Sequence, residues 1–212
     1  MNLIIFGPPG AGKGTQSNFI VQKFQLHQLS TGELLRKEIK DKTTLGKQIA
    51  SIINSGNLVS DNIVSDLIEN YISDKIYKSR LIFDGYPRNL TQVKNLDNLL
   101  KKYDQKINIV LKLSVSLETI KKRISERKTL EQRADDSEQI AIKRYKMYEK
   151  NIEPVIEFYK QSNLLTVVNG EKTITEISDE ISGLIEGNKG WLCVITQYKY
   201  ARKLKLIYIW LV

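Results

Sequence analysis

The sequence predicts an α/β protein built on a parallel five-stranded sheet with helices on both faces, and three features predict it. The apolar run Leu3-Ile4-Ile5-Phe6 passes straight into Gly7-Pro8-Pro9-Gly10-Ala11-Gly12-Lys13-Gly14-Thr15, a glycine-rich turn between a buried strand and a helix. Short apolar runs then recur along the chain, separated by stretches with apolar residues at helical spacing. One run, Arg80-Leu81-Ile82-Phe83-Asp84-Gly85, carries an acid at its carboxyl end, where ligands of parallel sheets collect.

Taken in order, the first strand delivers the chain to the glycine-rich turn, and Thr15 to Ile20 continues as a helix. Unpaired N–H groups and a partial positive charge at that helix start suit a phosphate, and Lys13 adds a full charge within reach of a polyphosphate. Gly7-x4-Gly12-Lys13 has the spacing of a P-loop. The residue after the lysine is Gly14, however, with the hydroxyl one place later at Thr15.

Leu26 to Ser30 reads as a short strand. Three helical patterns follow, through Leu34 to Ile39, Leu45 to Ile53 and Ile63 to Tyr71, with turns at Lys42-Thr43 and Ser55-Gly56-Asn57, so a small helical insertion is expected beside the sheet. Ile107 to Leu113 and Leu164 to Val168 supply two more strands. Helices are expected from Ser116 to about Arg127 and from Asp136 to about Asn151. Pro154 should interrupt the second before Val155 to Tyr159 resumes it. Between them Lys128-Thr129-Leu130-Glu131-Gln132 reads as a short, polar, mobile loop.

Composition narrows the function. A chain of 212 residues with 41% hydrophobic side chains suits one domain with an adequate core. No apolar run approaches the roughly 20 residues of a membrane helix. With Met1 opening directly on the first strand, no signal peptide is expected and the location is expected to be cytoplasmic. One cysteine, Cys193, excludes an intrachain disulfide, and with the single His27 leaves no cluster for structural zinc. His27 itself reads as a loop or strand-edge residue. The net charge of +9 is uneven: Lys189, Lys199, Arg202, Lys203 and Lys205 stand in an acid-free tail. The modest surplus elsewhere fits a polyphosphate site better than nucleic acid.

Arg36, Arg88, Arg123, Arg127, Arg133 and Arg144 need a common explanation. Each alone would be a solvated face, but Arg123 and Arg127 share one helix face and Arg133 and Arg144 border the loop that follows. Several guanidinium forks converging on polyphosphate fit phosphoryl transfer, in which positioning and electrostatics do most of the catalysis. No histidine or carboxylate dyad stands out as a base, and none is needed if the acceptor is an ionised phosphate.

Together these residues resemble the adenylate kinase family of nucleoside monophosphate kinases. The resemblance runs through Gly7 to Thr15, Ser30-Thr31-Gly32-x3-Arg36, Gly56-x-Leu58-Val59-x-Asp61, Asp84-Gly85-Tyr86-Pro87-Arg88, Gln92, Arg123-x3-Arg127, Arg133-x-Asp135-Asp136 and Arg144. It implies transfer of the γ-phosphoryl group of ATP to AMP, giving two ADP, with Mg2+ accompanying ATP and held through water by Asp84. It implies an ATP site of Gly10, Ala11, Gly12, Lys13, Gly14, Thr15, Arg123, Arg127 and Lys172. The implied AMP site comprises Thr31, Arg36, Asn57, Leu58, Val59, Gly85, Tyr86, Pro87, Arg88, Gln92, Arg133 and Arg144. Lys13, Arg88, Arg123, Arg133 and Arg144 are the implied catalytic set.

The resemblance further implies a domain over 1–186, an AMP-binding insertion at about 30–59 and a lid at about 126–136, in a monomer with no specific nucleic-acid partner. The lid is the short kind, without zinc-binding cysteines or the usual glycines. A UMP/CMP kinase is the nearest alternative, and a nucleotide-binding interaction module without turnover is another. Thr31 and Gln92 favour adenine, since the amide of Gln can pair both an amine and a ring nitrogen. The basic, aromatic tail 187–212 matches nothing in the family; it reads as an extension dispensable for activity, with a peripheral contact to an anionic membrane or nucleic acid as the alternative.

Overall fold

The computed structural model describes residues 1–131 and 137–187. Arg133 and most of the tail, 188–212, therefore lie outside the described residues. Five parallel strands, β1 (Asn2–Phe6), β2 (His27–Ser30), β3 (Leu81–Asp84), β4 (Ile107–Ser114) and β5 (Leu165–Asn169), stand in the order β2-β3-β1-β4-β5. The predicted sheet is thus observed, and His27 opens an edge strand, its ring edge-on to Tyr77.

Because the central strands β1 and β3 are covered on both faces, they read as apolar runs rather than as alternating ones. Ile4, Phe6, Leu29, Phe83 and Val110 point to one face, against α4 (Asp61–Ser73), α5 (Leu90–Lys102) and α7 (Glu138–Gln161). Leu3, Ile5, Ile82, Ile109 and Leu111 point to the other, against α1 (Lys13–Phe24) and a final helix, α8, over 174–187. The helical pair α2 (Thr31–Lys40) and α3 (Thr44–Asn54) lies between β2 and α4 in the chain. Asn2, fully buried at the amino end of β1, accepts from the Leu81 N–H at 3.1 Å and donates to Gln105 Oε1 at 3.1 Å. It fixes the sheet at the end opposite the carboxyl ends of the strands.

Side-chain caps mark where helices begin. Ser30, Thr43, Asn89 and Ser137 accept from N–H groups of Glu33, Gly46, Gln92 and Ile140, satisfying first-turn donors of α2, α3, α5 and α7.

Two sequence expectations are corrected. α6 (Leu117–Glu131) continues to Glu131, through the stretch from Lys128 expected to be a loop. Lys128-Thr129-Leu130-Glu131 contains neither glycine nor proline, so nothing local stops the helix. The rest of the expected lid, 132–136, is outside the described residues. α7 runs unbroken for 24 residues through Pro154. A proline inside a helix costs about 3 kcal/mol, but Ile152, Val155 and Ile156 are all buried on that stretch. At about 1.5–3 kcal/mol each, their burial outweighs the lost hydrogen bond.

Ile82, inaccessible in the middle of β3, should be far less tolerant than Val167 on edge strand β5, which is 55% exposed. Ile82→Ala is expected to lower the unfolding free energy by about 2–5 kcal/mol, and Val167→Ala by less than about 1 kcal/mol, in urea titrations. Equal losses would contradict the two-faced core.

Candidate active site

At the carboxyl ends of the strands the chain leaves β1 through Gly7 and enters α1 at Lys13, two residues before the start expected from the sequence. Gly12 is the N-cap and has φ +92°, a left-handed conformation that a side chain would strain. It offers no side-chain cap, and no acid lies in the first turn, so α1 presents the positive end of its dipole without an internal anion. The Lys13 ammonium arches back over the turn and donates to the carbonyls of Gly7 at 2.8 Å and Pro8 at 3.1 Å. Arg123 of α6 closes the same turn, donating to Ala11 O at 3.3 Å and Gly170 O at 2.9 Å.

Across the cleft, β3 ends at Asp84, in register with Ile5 of β1 and Ser30 of β2. Asp84 is 7% exposed and accepts from Gln28 Nε2 at 3.0 Å. The turn that follows is drawn together by the Gly85 carbonyl, which accepts from Arg88 Nε at 2.6 Å and from Thr31 Oγ1 at 3.2 Å. The Arg88 N–H donates to Gln92 Oε1 at 2.7 Å, while Gln92 Nε2 donates to Asp61 Oδ1 at 2.6 Å. Tyr86 contributes as packing: its ring is buried and its hydroxyl donates to Gln92 O at 3.3 Å. Burial, with Asp61 nearby, pushes its pKa up to about 12.

These parts line one cleft of about 850 Å³. The turn from Gly10 to Thr15, then Thr31, Arg36, Asn57, Leu58, Val59, Asp84 to Arg88, Gln92, Arg123, Arg127, Arg144 and Lys172 all border it, as expected from the sequence, whereas Asp61 does not. Lys172 meets the cleft with its ammonium held by Glu180 at 2.8 Å. Gly56, at φ +72°, seats the end of α3 on α7, since a Cβ there would lie 2.8 Å from Ile140 and 3.3 Å from Arg144.

The electrostatic signature is crowding of cations. Desolvation lowers the Lys13 pKa from 10.5 to about 8; Asp84 pulls it up, while Arg88, Arg144 and Arg127 push it further down. Arg88 is held down at about 10 by burial and Arg144, opposed by Asp84 and reinforced by Arg36, and it stays a cation at physiological pH. Such a cleft can take a polyanion, which relieves the repulsion among its walls.

Sequence reading missed part of the site. Met147, Tyr148 and Asn151 border the cleft beside Arg144. They stand at i+3, i+4 and i+7 from it, the spacing of one helix face, so the signal was present once Arg144 was placed. Gln16 was also missed. Buried on α1, it donates to Ile174 O at 3.2 Å and accepts from Ser178 Oγ at 2.9 Å, tying the phosphate turn's helix to the start of α8.

Residues 5–164 match the family model described as adenylate kinase. The chain is similar to the adenylate kinase of Pelagibacter ubique, 40% identical across 88% of this chain and 100% of that protein. It is 42% identical to the adenylate kinase of Prochlorococcus marinus, across 85% and 96%. The adenylate kinase of Fusobacterium nucleatum is 37% identical, across 85% and 96%.

The lowered pKa of Lys13 gives a signed pH effect. Unfolded, Lys13 keeps its proton to higher pH than when folded, so its destabilising contribution is present below about 8 and is relieved as pH rises from about 8 toward 10.5. A polyphosphate beside the ammonium restores the proton. Calorimetric titration of ATP near pH ~9, in buffers of different ionisation enthalpy, should show uptake approaching one proton, absent in Lys13→Met and absent near pH ~6.5. No uptake by the unmodified protein near pH ~9 would contradict the burial of this charge.

Proposed function

The chain belongs to the adenylate kinase family, and we propose that it performs the family reaction across the cleft between the glycine-rich turn and Arg88. It is an ATP:AMP phosphotransferase, passing the γ-phosphoryl group of ATP to AMP in a reversible reaction that yields two ADP. In the reading proposed here, the turn Gly10 to Thr15, with the Lys13 ammonium, cradles the ATP phosphates, and Arg123 and Arg127 approach them from α6. Arg36 and Arg88 hold the AMP phosphate, and Thr31, Asn57 to Val59, Gly85 to Pro87 and Gln92 enclose its nucleoside. Arg144 meets the transferred group, and Arg133 joins it. Lys172 stands by the ATP base.

What supports this reading is that cations from α1, α2, the turn after β3, α6 and α7 all face one cleft. As the phosphoryl group leaves ATP, its charge spreads over three equatorial oxygens, and preorganised cations stabilise that charge without reorganising. The attacking AMP oxygen is already ionised, so no protein base has to remove a proton.

Adenylate kinases use Mg2+ with ATP, and the residues present fit such an ion. Among the described residues no three His, Cys, Asp or Glu side chains group as a metal cage, but Asp84 is a buried carboxylate bordering the cleft. Mg2+ keeps most of its waters and is commonly bound by one or two carboxylates plus substrate phosphates. Asp84 would hold it through water, and the ion would neutralise charge on the ATP phosphates. The same reading keeps 1–186 as the catalytic domain, 30–59 as the AMP-binding insertion, 126–136 as the lid and 187–212 as a dispensable tail, in a cytoplasmic monomer. Among the described residues no helix is long and apolar enough to cross a membrane.

A coupled assay of ADP formation should show AMP preferred as acceptor over UMP and CMP by at least about 10²-fold in kcat/KM. Equal or faster turnover of UMP or CMP would favour the pyrimidine-kinase reading. In the same assay Lys13→Met should lose about 10²–10³ in kcat. Retention of more than about a third of the unmodified rate would contradict the phosphate cradle.

A further inference from the structure

We propose that Asp61 is a positioning residue that fixes the orientation of the Gln92 amide and thereby sets the acceptor pocket's preference between 6-amino and 6-oxo purines. The inference rests on the reading of the acceptor pocket given above. Asp61 is the first residue of α4 and does not border the cleft, so it has no route to a nucleotide except through its neighbours. Its two carboxylate oxygens are divided between two of them: Oδ1 accepts from Gln92 Nε2 at 2.6 Å and Oδ2 from Asn89 Nδ2 at 3.0 Å. Asn89 in turn caps α5, its Oδ1 accepting from the Gln92 N–H at 2.8 Å. Gln92 is thereby held by both its backbone and its side chain.

The chemistry of the two side-chain partners admits one orientation. A carboxylate only accepts, so it takes Gln92 by the NH2 end; the Arg88 N–H only donates, so it takes Gln92 by the oxygen, at 2.7 Å. Reversing the amide would set N–H against N–H at Arg88 and oxygen against oxygen at Asp61, two repulsive contacts at a residue only 4% exposed. Each end keeps capacity for one further bond, one N–H and one lone pair, and Gln92 borders the cleft. Adenine presents an acceptor at N1 and a donor at its 6-amine, whereas a 6-oxo purine presents a donor at N1 and an acceptor at O6. A locked amide reads one of these patterns; a reversible amide accommodates both.

The test compares AMP with IMP, which differ at those two positions. Asp61→Asn is isosteric but offers one acceptor where the carboxylate offered two. It should lower the ratio of kcat/KM for AMP over IMP by about tenfold. The kcat with AMP and the KM for ATP should stay within about twofold, a split that a general loss of structure would not give. Asp61→Glu, which keeps both acceptors, should recover much of the ratio. Because Asp61 acts through Gln92, Asp61→Asn combined with Gln92→Ala should be no worse than Gln92→Ala alone. Multiplying effects, an unchanged ratio in Asp61→Asn, or equal loss of kcat and ATP affinity would each overturn the proposal while leaving the acceptor pocket as read. An unchanged ratio in Gln92→Ala alone would instead remove that reading of the pocket, and the proposal with it. On the unmodified protein, nuclear magnetic resonance should find one of the two Gln92 side-chain amide protons slowed in exchange by its bond to Asp61. Two equally fast protons would overturn the proposal without any variant having to fold.

Discussion

Repulsion among like charges in a confined cleft is the constraint on which the rest of this structure depends. Lys13 is driven down to about 8 by burial, with Arg88, Arg144 and Arg127 pushing the same way. Arg88 is held low by burial and by Arg144 and Arg36. A fold left to minimise its own energy would spread these side chains apart in water. Here they stand together because each is anchored in a separate rigid part, so the cost of gathering them is borne by the whole framework and is recovered when polyphosphate enters.

The framework does this by committing backbone and side-chain hydrogen bonds on both walls. On one wall the carbonyls of Gly7 and Pro8 hold the Lys13 ammonium, and Arg123 locks the turn to Gly170. On the other the Gly85 carbonyl gathers Arg88 and Thr31, and Gln92 links Arg88 to Asp61. Between them lies a sheet whose central strands are buried on both faces and pinned at the far end by Asn2. Distances between the walls are therefore set by core packing, which is stiff.

How much of this was legible in the sequence follows from how local each signal is. Strands buried on two faces announce themselves as apolar runs, and the glycine-rich turn has a fixed spacing, so the sheet and the phosphate turn were readable from residues alone. Helix ends were less so. Pro154 is a strong local breaker that loses to the burial of Ile152, Val155 and Ile156, a tertiary effect that no window of sequence displays. The extension of α6 to Glu131 has a local sign, the absence of glycine and proline from Lys128 to Glu131. At the site, charged residues facing the cleft were found because converging arginines need a reason. Gln16 carries its weight through Ile174 and Ser178, and no spacing rule betrays such a residue; Asp61 stands in a motif of fixed spacing, but its hold on Gln92 shows only in the fold.

The central claim is that one cleft, walled by Lys13 on one side and Arg88 on the other, holds both nucleotides at once. Calorimetric titration with two adenosines joined through five phosphates tests it most directly. The account predicts one molecule bound per chain, displaced by either ATP or AMP, with Lys13→Met and Arg88→Ala each weakening it at least about tenfold. Two molecules bound per chain, or an affinity untouched by Arg88→Ala, would contradict it.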